Sequence, residues 1–398
     1  MQKFLILFCV LILTIFFCCF SKQEEQKVIL KFSSWGSQSE IELIEPLLKK
    51  FEHNNPNIKI EFLHIPQNYF QKLHLLFASN LAPDIIFINN HYIPKYAEKN
   101  LLEDLTSYID KQDYFSKPIE CLTYNGRIYA VPRDVSNLVI YYNKTLFDKY
   151  NIPYPKQNWT LEEYINIGKI FAKNGIWGTS FETDAIFWLP YLTSNGAGIL
   201  SDDGKQLIIN SEKALNSLDL YADLANKYHI APQKSDSASL TMAQLFLQQK
   251  LAMHLSGRWL VPKYRKEAIF DWDIAQFPQG VNGSVVNIDA SGYAISKTSK
   301  HKTEALKFIE FITSKDSLEY LTQSGLIIPA RVDVANSNIF LDNKKPLNAK
   351  AFIDTIETGK ITPVNTEYQL LIDNLNKKLE PLFLNKNKAR ELKLSSKE

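Results

Sequence analysis

The chain has 398 residues, which is long for one domain and suits two units of ordinary size. Apolar residues make up 45% and charged residues 22%, the composition of a globular protein with a sizeable core. The formal net charge is +2, so the overall charge gives no reason to expect binding to nucleic acid or another polyanion.

The first residues have the pattern of an export signal. Lys3 supplies a positive charge, residues 4–17 are apolar, and a polar stretch follows. The apolar stretch is shorter than the roughly 20 residues of a membrane-spanning helix, although an uncleaved membrane anchor remains the alternative. Cys18 and Cys19 lie at its end and resemble the acylated cysteine of a bacterial lipobox. Because Cys19 follows a smaller residue than Cys18 does, we predict a signal peptide over residues 1–19 and lipidation at Cys19.

The next segment predicts a lobe in which strands and helices alternate. Residues 28–32 and 58–62 alternate apolar with polar side chains, as half-buried strands do. Residues 85–88 form an unbroken apolar run, which is typical of a parallel strand buried on both faces. A helix with a capping box at Ser39 and a second helix over residues 69–78 separate these strands. This order of elements indicates an α/β lobe.

A second lobe is predicted to begin with a strand over residues 138–142. Thr160 and Glu163 form a capping box at the start of a helix, and Asp202-Asp203-Gly204 predicts a turn. The tail from Lys386 onward is rich in Lys and Glu and indicates a fraying helix or disorder. Further helices are predicted over residues 211–228, 239–249, 303–313 and 317–323.

No constellation of catalytic residues is recognisable in the sequence. The seven histidines are scattered without the spacing of metal ligands, and Cys121 has no partner for a disulfide or a zinc site. Nucleophile-elbow, phosphate-loop and dinucleotide-binding motifs are absent. We therefore expect no enzyme activity, no cofactor and no metal. The competing hypothesis, a secreted carbohydrate-active enzyme, would require two cleft carboxylates at catalytic separation.

Aromatic and planar polar side chains stand at the ends of the predicted strands. Trp35 follows the first strand, Asn89 and Asn90 follow the third, and Asp134 and Asn137 precede the strand that enters the second lobe. Ligands of α/β proteins bind beyond the carboxyl ends of strands. Sugars stack their C–H faces on aromatic rings, and their hydroxyls suit amides and carboxylates. The alternatives are a core position for Trp35 and a simple turn at Asn89-Asn90.

Eight short stretches carry a family resemblance when they are read in order. They include Ala82-Pro83-Asp84, Asn125-Gly126 and Gly257-Arg258-Trp259. Together they resemble the family 1 extracellular solute-binding proteins, which include the maltose-binding and glycerol-phosphate-binding proteins of ABC importers. The complete set lies at residues 51–60, 82–86, 124–132, 141–147 with 159–160, 195–198, 252–259, 292–296 and 329–331.

The resemblance implies an α/β, two-lobed fold of the type II periplasmic-binding-protein class with a hinged ligand cleft. The solute would lie between the lobes, which would close over it. Crossovers between the lobes are expected near residues 132–137, near residues 288–291 and again late in the chain. The predicted lobes are residues 27–135 with 290–338, and residues 136–289 with 339–390.

The resemblance also implies a set of ligand-contacting residues. Arg258 departs from the family pattern, since relatives often have Pro or a small residue before the following Trp, and it would add a charge to the cleft. Trp188 could instead be a core residue. The implied contacts are Trp35, Asn89, Asn90, Trp188, Trp259, Gly292 and Arg331, with stacking by Trp188 and Trp259 and hydrogen bonding to hydroxyls by Asn89, Asn90, Asp134 and Asn137.

The export signal and the family resemblance together imply an exported receptor that is lipid-anchored to the bacterial cytoplasmic membrane and faces the periplasm or the cell exterior. It would bind a sugar or oligosaccharide and deliver it to the transmembrane permease subunits of an ABC importer. We expect a monomer that binds no nucleic acid. A glycerol phosphate or other polyol-type ligand is the alternative within the family. A receptor that serves as a chemosensor or adhesin without import is a further one.

Overall fold

The structure, a computed structural model, describes residues 27–394 except 234 and 238. The predicted signal peptide and Cys19 lie outside these residues. The strands are β1 Val28–Ser34, β2 Ile58–His64, β3 Ile85–Asn89, β4 Thr123–Tyr124, β5 Arg127–Ile128, β6 Val131–Ser136, β7 Val139–Asn143, β8 Met253–Ser256, β9 Trp272–Ala275, β10 Asn287–Ile295, β11 Ile328–Pro329 and β12 Lys360–Ile361.

Helices surround these strands, and among the described residues none is long and apolar enough to cross a membrane. The α-helices are α1 Gln38–Asn54, α2 Tyr69–Ala78, α3 Ile93–Glu98, α4 Ser116–Cys121, α5 Lys144–Lys149, α6 Leu161–Lys173, α7 Ala185–Thr193, α8 Glu212–Asn226, α9 Met242–Leu247, α10 Val261–Glu267, α11 Lys302–Ile312, α12 Lys315–Gln323, α13 Val332–Ala335, α14 Lys350–Thr358 and α15 Tyr368–Phe383. Short 3-10 helices span Thr106–Tyr108, Lys111–Asp113, Arg258–Leu260 and Ala389–Glu391.

The first lobe is built around a seven-stranded mixed sheet. Its strands run in the order β11-β6-β10-β3-β1-β2, and β12 pairs with β10. β1 lies parallel to both β2 and β3, so their carboxyl ends meet at one edge. Residues 85–88 of β3 are fully buried, which confirms the strand predicted from their unbroken apolar run.

The second lobe is built around a three-stranded antiparallel sheet in the order β8-β7-β9. A separate cluster of buried side chains fills the space between this sheet and its helices, and Trp188 of α7 and Leu379 of α15 are both fully buried in it. The two-lobed α/β architecture implied by the family resemblance is therefore confirmed.

Two antiparallel strands connect the lobes. Asp289 of β10 lies opposite Ser136 of β6, and Ser291 lies opposite Asp134, with a shift of register between Ser291 and Gly292. β6 then continues through residues 137–138 into β7 of the smaller sheet. These strands form the back wall of the cleft. The lobe boundaries given above stay predictions.

A third connection between the lobes passes the end of α14, where Lys117 binds it to the first lobe. The Lys117 Nζ atom donates hydrogen bonds to the carbonyl oxygens of Ile356, Glu357 and Gly359 at 2.7, 2.6 and 2.6 Å. These carbonyls have no later turn of helix to bond to them, and a cation is favoured at a helix carboxyl end. The chain after α14 is thereby attached to α4 of the first lobe.

The local predictions are confirmed at some helix ends and wrong at others. The Thr160–Glu163 capping box is present. The helix predicted to begin at Ser39 begins earlier, because the Ser37 hydroxyl accepts a hydrogen bond from the Glu40 amide at 3.3 Å. The tail does not fray over its described part, because Leu394 is fully buried and its carbonyl accepts a hydrogen bond from Asn210 at 2.7 Å.

Candidate functional site

Two adjoining pockets lie between the lobes, and both are lined by Ser136 and Asn137 of the crossover. The first, of about 270 Å³, is called the tryptophan pocket here, and its lining includes Trp35, Glu40, Arg133, Asp134, Arg258 and Trp259. The second, of about 340 Å³, is called the aspartate pocket, and its lining includes His91, Asp184, Asp289, Tyr368, Asp373 and Asn376. Both pockets draw residues from each lobe, so movement of the lobes would change their size.

Trp259 offers an accessible aromatic surface in the tryptophan pocket. Trp259 lies in the 3-10 turn that follows β8 and Gly257, and 39% of its surface is exposed. Its ring lies against Gly257, where an added Cβ would come within 1.9 Å of the indole Cζ3 atom. Gly257 therefore leaves the space that the ring occupies. An exposed indole held in one orientation is a suitable surface for stacking.

Trp35 lines the same pocket but is partly a core residue. Its ring is half-buried, with its centroid 4.2 Å from that of Phe87 and 5.1 Å from that of Tyr69. The two interpretations offered by the sequence, core and cleft, therefore each describe part of its environment. One side of the ring packs on the first lobe, and the residue still contributes to the pocket wall.

A buried ion cluster supports the first-lobe side of the tryptophan pocket. The Arg133 guanidinium lies 3.0 Å from Glu40 Oε1 and 2.5 Å from Asp134 Oδ2, and 4.0 Å above the centre of the Phe87 ring. Burial favours the neutral form of Arg133, but the carboxylates of Asp134 and Glu40 outweigh it and raise the pKa of Arg133. Burial raises the pKa of Asp134 against the opposing effect of Arg133. Asp134 is thus paired with Arg133 at the pocket wall.

Arg258 places a charge behind the second-lobe side of the pocket. Only 2% of the residue is exposed, and its guanidinium lies 3.9 Å from the centre of the Phe340 ring and 5.4 Å from that of Phe352. Among the described residues, none accepts a hydrogen bond from its three side-chain nitrogens. Burial lowers the pKa of Arg258 to about 10, so it remains charged at neutral pH. The aromatic rings supply its nearest stabilising contacts.

In the aspartate pocket, residues from the two lobes meet. Asp289 Oδ1 lies 3.0 Å from His91 Nε2 and accepts a hydrogen bond from Asn90 Nδ2 at 2.8 Å. Burial alone would raise the pKa of Asp289, but His91 and the hydrogen bonds lower it. The His91 ring lies 4.9 Å from that of Tyr368, the first residue of α15. Since His91 follows β3 of the first lobe, this contact crosses the cleft.

Asn137 lies at the junction of the two pockets. Its Nδ2 atom donates a hydrogen bond to the Phe352 carbonyl at 2.9 Å, which fixes the orientation of the amide. Its Oδ1 atom is buried and has no donor among the described residues. A buried acceptor without a donor is costly, so this oxygen is suited to receive a hydrogen bond from a bound molecule.

Five residues predicted to contact ligand line neither pocket in this structure. Trp188 is fully buried in the second-lobe core, so its ring is not accessible for stacking in this structure. Asn90 is fully buried. Its Nδ2 atom donates a hydrogen bond to Asp289, and its Oδ1 atom accepts one from the Ala290 amide of β10. An added Cβ on Gly292 would lie 2.3 Å from the Val131 carbonyl oxygen, so this glycine serves strand packing.

Arg331 is the fourth, and it is paired within the first lobe. Its guanidinium lies 2.9 Å from Asp113 and 3.1 Å from Asp333, and it lines neither pocket. Asn89 is half-buried at the end of β3, also outside the lining of both pockets, although its Oδ1 atom has no donor in the described part of the chain. Four further residues line the aspartate pocket and were not predicted from the sequence, namely His91, Asp184, Tyr368 and Asp373. Asp184 and Tyr368 stand at helix starts, a position from which a polar group often faces a cleft, and this signal could have identified them.

The family is established by comparison with known proteins. Residues 36–319 match the bacterial extracellular solute-binding protein family. The chain belongs to that family.

Within the described residues, no cluster of His, Cys, Asp and Glu is arranged to hold a metal ion.

Individual members of the solute-binding family are similar over most of the chain. The galactooligosaccharide-binding protein of Bacillus subtilis is 22% identical over 83% of this chain and 79% of its own length. The lactose-binding protein of Rhizobium radiobacter is 22% identical over 74% of this chain and 73% of its own. An ABC substrate-binding protein from Listeria monocytogenes, solved in complex with cycloalternan, superposes with a TM-score of 0.84 at 27% identity, covering 92% of this chain and 96% of the other.

Proposed function

We propose that this solute-binding protein is the extracytoplasmic receptor of an ABC importer, and that it captures a sugar or oligosaccharide between its lobes. The observation that carries the proposal is the exposed indole of Trp259 in the tryptophan pocket, beside buried polar groups. An aromatic face next to hydrogen-bonding groups matches the two kinds of surface that a sugar presents. The similar Listeria protein was solved with the carbohydrate cycloalternan, which supports the same class of ligand.

The residues that line the cleft would make two kinds of contact with a sugar, stacking and hydrogen bonding. Trp259 would stack against an apolar face of a sugar ring, with Trp35 on the opposite lobe forming part of the same wall. The Asn137 Oδ1 atom, which has no donor among the described residues, would accept a hydrogen bond from a hydroxyl group. Arg133 would be held rigidly by Glu40 and Asp134, so that little conformational entropy is lost on binding.

Binding would favour the closed arrangement of the lobes. A ligand shifts an open–closed equilibrium only by its difference in affinity for the two states, and a solute that contacts both lobes has that difference. The closed, loaded receptor would then deliver the solute to the permease in the membrane. Lipidation at Cys19, which lies outside the described residues, would keep the receptor near that permease.

The polyol phosphate alternative has weaker support. A phosphate would need accessible donors, and the three side-chain nitrogens of Arg258 are buried behind Phe340 and Phe352. Arg133 already holds two carboxylates. The cleft therefore suits a ligand that presents hydroxyls and an apolar ring face better than one that presents a phosphate.

Thermal unfolding of the mature protein with a panel of mono- and oligosaccharides tests the proposal. A ligand at 100 times its dissociation constant should raise the free energy of unfolding by about 2.7 kcal/mol. Glycerol 3-phosphate belongs in the panel as the alternative ligand, and Trp259→Ala is the matched variant whose response should be reduced. Stabilisation by glycerol 3-phosphate alone, or by no carbohydrate at all, would contradict the proposal.

A further inference from the structure

The aspartate pocket has an unusual balance of charge. Asp184, Asp289 and Asp373 line it, whereas no Lys or Arg does. Asp289 lies 3.0 Å from His91, but neither Asp184 nor Asp373 forms an ion pair with any residue that the structure describes. Both of these carboxylates are exposed in the present arrangement of the lobes, where water stabilises their charge.

Closure of the lobes would remove that water. Carboxylates taken out of water without a partner are strongly destabilised, and a positive charge near Asp184 and Asp373 would stabilise them in a closed aspartate pocket more than neutral hydroxyls would. A metal ion is a poor candidate, because the described residues contain no cluster arranged to hold one. No Lys or Arg lines the pocket, and His91 lies against Asp289, so a charge beside Asp184 and Asp373 would be supplied by the solute.

A second observation, independent of the carboxylates, points to a ligand with hydrogen-bond donors. Asn137 is 2% exposed and lines the pocket, and its Oδ1 atom has no donor among the described residues. The Oδ1 atom of Asn376, on the α15 side of the same pocket, also has none. The bond from Asn137 Nδ2 to the Phe352 carbonyl excludes the flipped amide for Asn137. The pocket thus offers two neutral acceptors that lack donors, beside two carboxylates that lack ion-pair partners.

The tryptophan pocket shows a different balance. There the Arg133 charge is matched by Glu40 and Asp134 within ion-pair distance, and an exposed indole forms part of the wall. A neutral sugar ring fits that surface. The two pockets adjoin at Asn137, so one ligand of more than one ring could occupy both.

We propose that the solute is an amino sugar or amino oligosaccharide whose protonated amine lies in the aspartate pocket, near Asp184 and Asp373. This rests on the proposed function, and it names the class of sugar. An ammonium group provides three donors and one positive charge, which would satisfy the acceptor of Asn137 as well as the carboxylates. Neutral sugars would lack the charge, and anionic sugars would be repelled.

Calorimetric titration of the mature protein with matched ligands tests the inference. The probes are chitosan-derived di- and trisaccharides, their N-acetylated counterparts, neutral malto-oligosaccharides and the polyamine spermidine. We expect the free amino sugars to bind at least about tenfold more tightly than the N-acetylated forms, a difference of 1.4 kcal/mol. Their affinity should fall as the pH rises from about 6 to 9, because the amine loses its proton in that range.

Two variants keep the shape of the pocket and remove its charge. Asp184 is the N-cap residue of α7, a position where Asn is equally favoured, and Asp373 accepts a hydrogen bond from Gln369 that Asn can also accept. In Asp184→Asn/Asp373→Asn the preference for the amine should fall about tenfold or more, with the unfolding temperature unchanged. Asp316→Asn, at an exposed carboxylate of α12 outside both pockets, is the control and should keep the preference.

The possible outcomes separate this inference from the proposed function. Equal or tighter binding of N-acetylated or neutral saccharides overturns the amino-sugar inference and leaves the sugar receptor standing. Binding of spermidine without any saccharide overturns the sugar receptor and the amino-sugar inference, and assigns the pocket to a polyamine. An amine preference that survives in the double variant also overturns the inference, because the carboxylates would not be its cause.

Discussion

A Cβ atom placed on Gly257 would lie 1.9 Å from Cζ3 of Trp259 and 2.4 Å from its neighbour Cε3. The indole ring therefore occupies the space that any other residue at position 257 would fill. The backbone of Gly257 has φ −97°, which every residue can adopt. The need for glycine here is a matter of ring position and not of backbone strain.

Gly257→Ala should therefore displace the Trp259 ring without straining the backbone. We expect the variant to fold and to bind its sugar about tenfold more weakly, since the stacking surface would be moved. Calorimetry with the best ligand of the panel measures the effect. The matched control is Gly198→Ala, where a Cβ would make only ordinary contact, its nearest neighbour being 3.5 Å away. Unchanged affinity in Gly257→Ala would show that the ring position is irrelevant to binding.

Trp188 and Trp259 should respond oppositely to truncation. Trp259→Ala should weaken sugar binding by about 2 kcal/mol or more, roughly 30-fold, with little change in the stability of the ligand-free protein. Trp188→Ala should lower the free energy of unfolding by about 3–5 kcal/mol, because the ring is fully buried. Denaturant unfolding and calorimetry on both variants check this. A large loss of stability in Trp259→Ala, with affinity intact in the folded fraction, would remove Trp259 from the site.

Asp289 should contribute to stability in a pH-dependent way. Its pKa is lowered in the folded protein, so its contribution is complete above the unfolded pKa of about 4 and is lost as the pH falls through the folded pKa. Asp289→Asn should lower the free energy of unfolding by about 1–2 kcal/mol at pH 7. The difference from the unsubstituted protein should become smaller at pH 3. A deficit that is constant over this range would exclude the charge of Asp289 as its cause.

The predicted anchor can be tested by fractionation of a bacterial host. Cys19→Ser should release the protein from membranes, while Cys18→Ser should leave it attached, because only the acylated cysteine carries lipid. The reverse result would assign lipidation to Cys18. Membrane retention of the double variant would instead favour an uncleaved helix.

Closure of the lobes should be visible by small-angle X-ray scattering. The radius of gyration should decrease when the correct ligand is added at saturation, because the two lobes would approach each other over the cleft. Binding confirmed by calorimetry with an unchanged scattering profile would contradict closure. The Trp259→Ala protein, at a ligand concentration that saturates only the unsubstituted protein, is the control.

The sequence predicts the elements of the fold better than the directions of side chains. The apolar run of β3 and the capping box of α6 depend on local patterns, and both are confirmed. Trp188 lies in the helix sequence Ala-Ile-Phe-Trp-Leu-Pro-Tyr-Leu-Thr, where apolar residues surround it on every side. Such a helix has no polar face to show which side meets solvent. Its tryptophan could therefore not be distinguished from one in a cleft.

The composition of the aspartate pocket could not be predicted for a different reason. Asp184, Asp289 and Tyr368 are widely separated in sequence, and they meet only because β10 and α15 return to the same junction. Asn90 illustrates the same limit, since it bonds Asp289 across 199 positions. Long-range pairings of this kind depend on the packing of whole lobes, which periodicity does not specify.

The hydrogen bonds from Lys117 to the end of α14 restrict how this part of the chain can move. Because one ammonium group binds three carbonyl oxygens at the carboxyl end of α14, those of Ile356, Glu357 and Gly359, this point is held close to α4 of the first lobe. If the lobes close as proposed, this connection would have to bend beyond that point, between β12 and the start of α15. Lys117 would then set where this connection bends, and the bend would determine how far Tyr368 moves relative to His91 on closure.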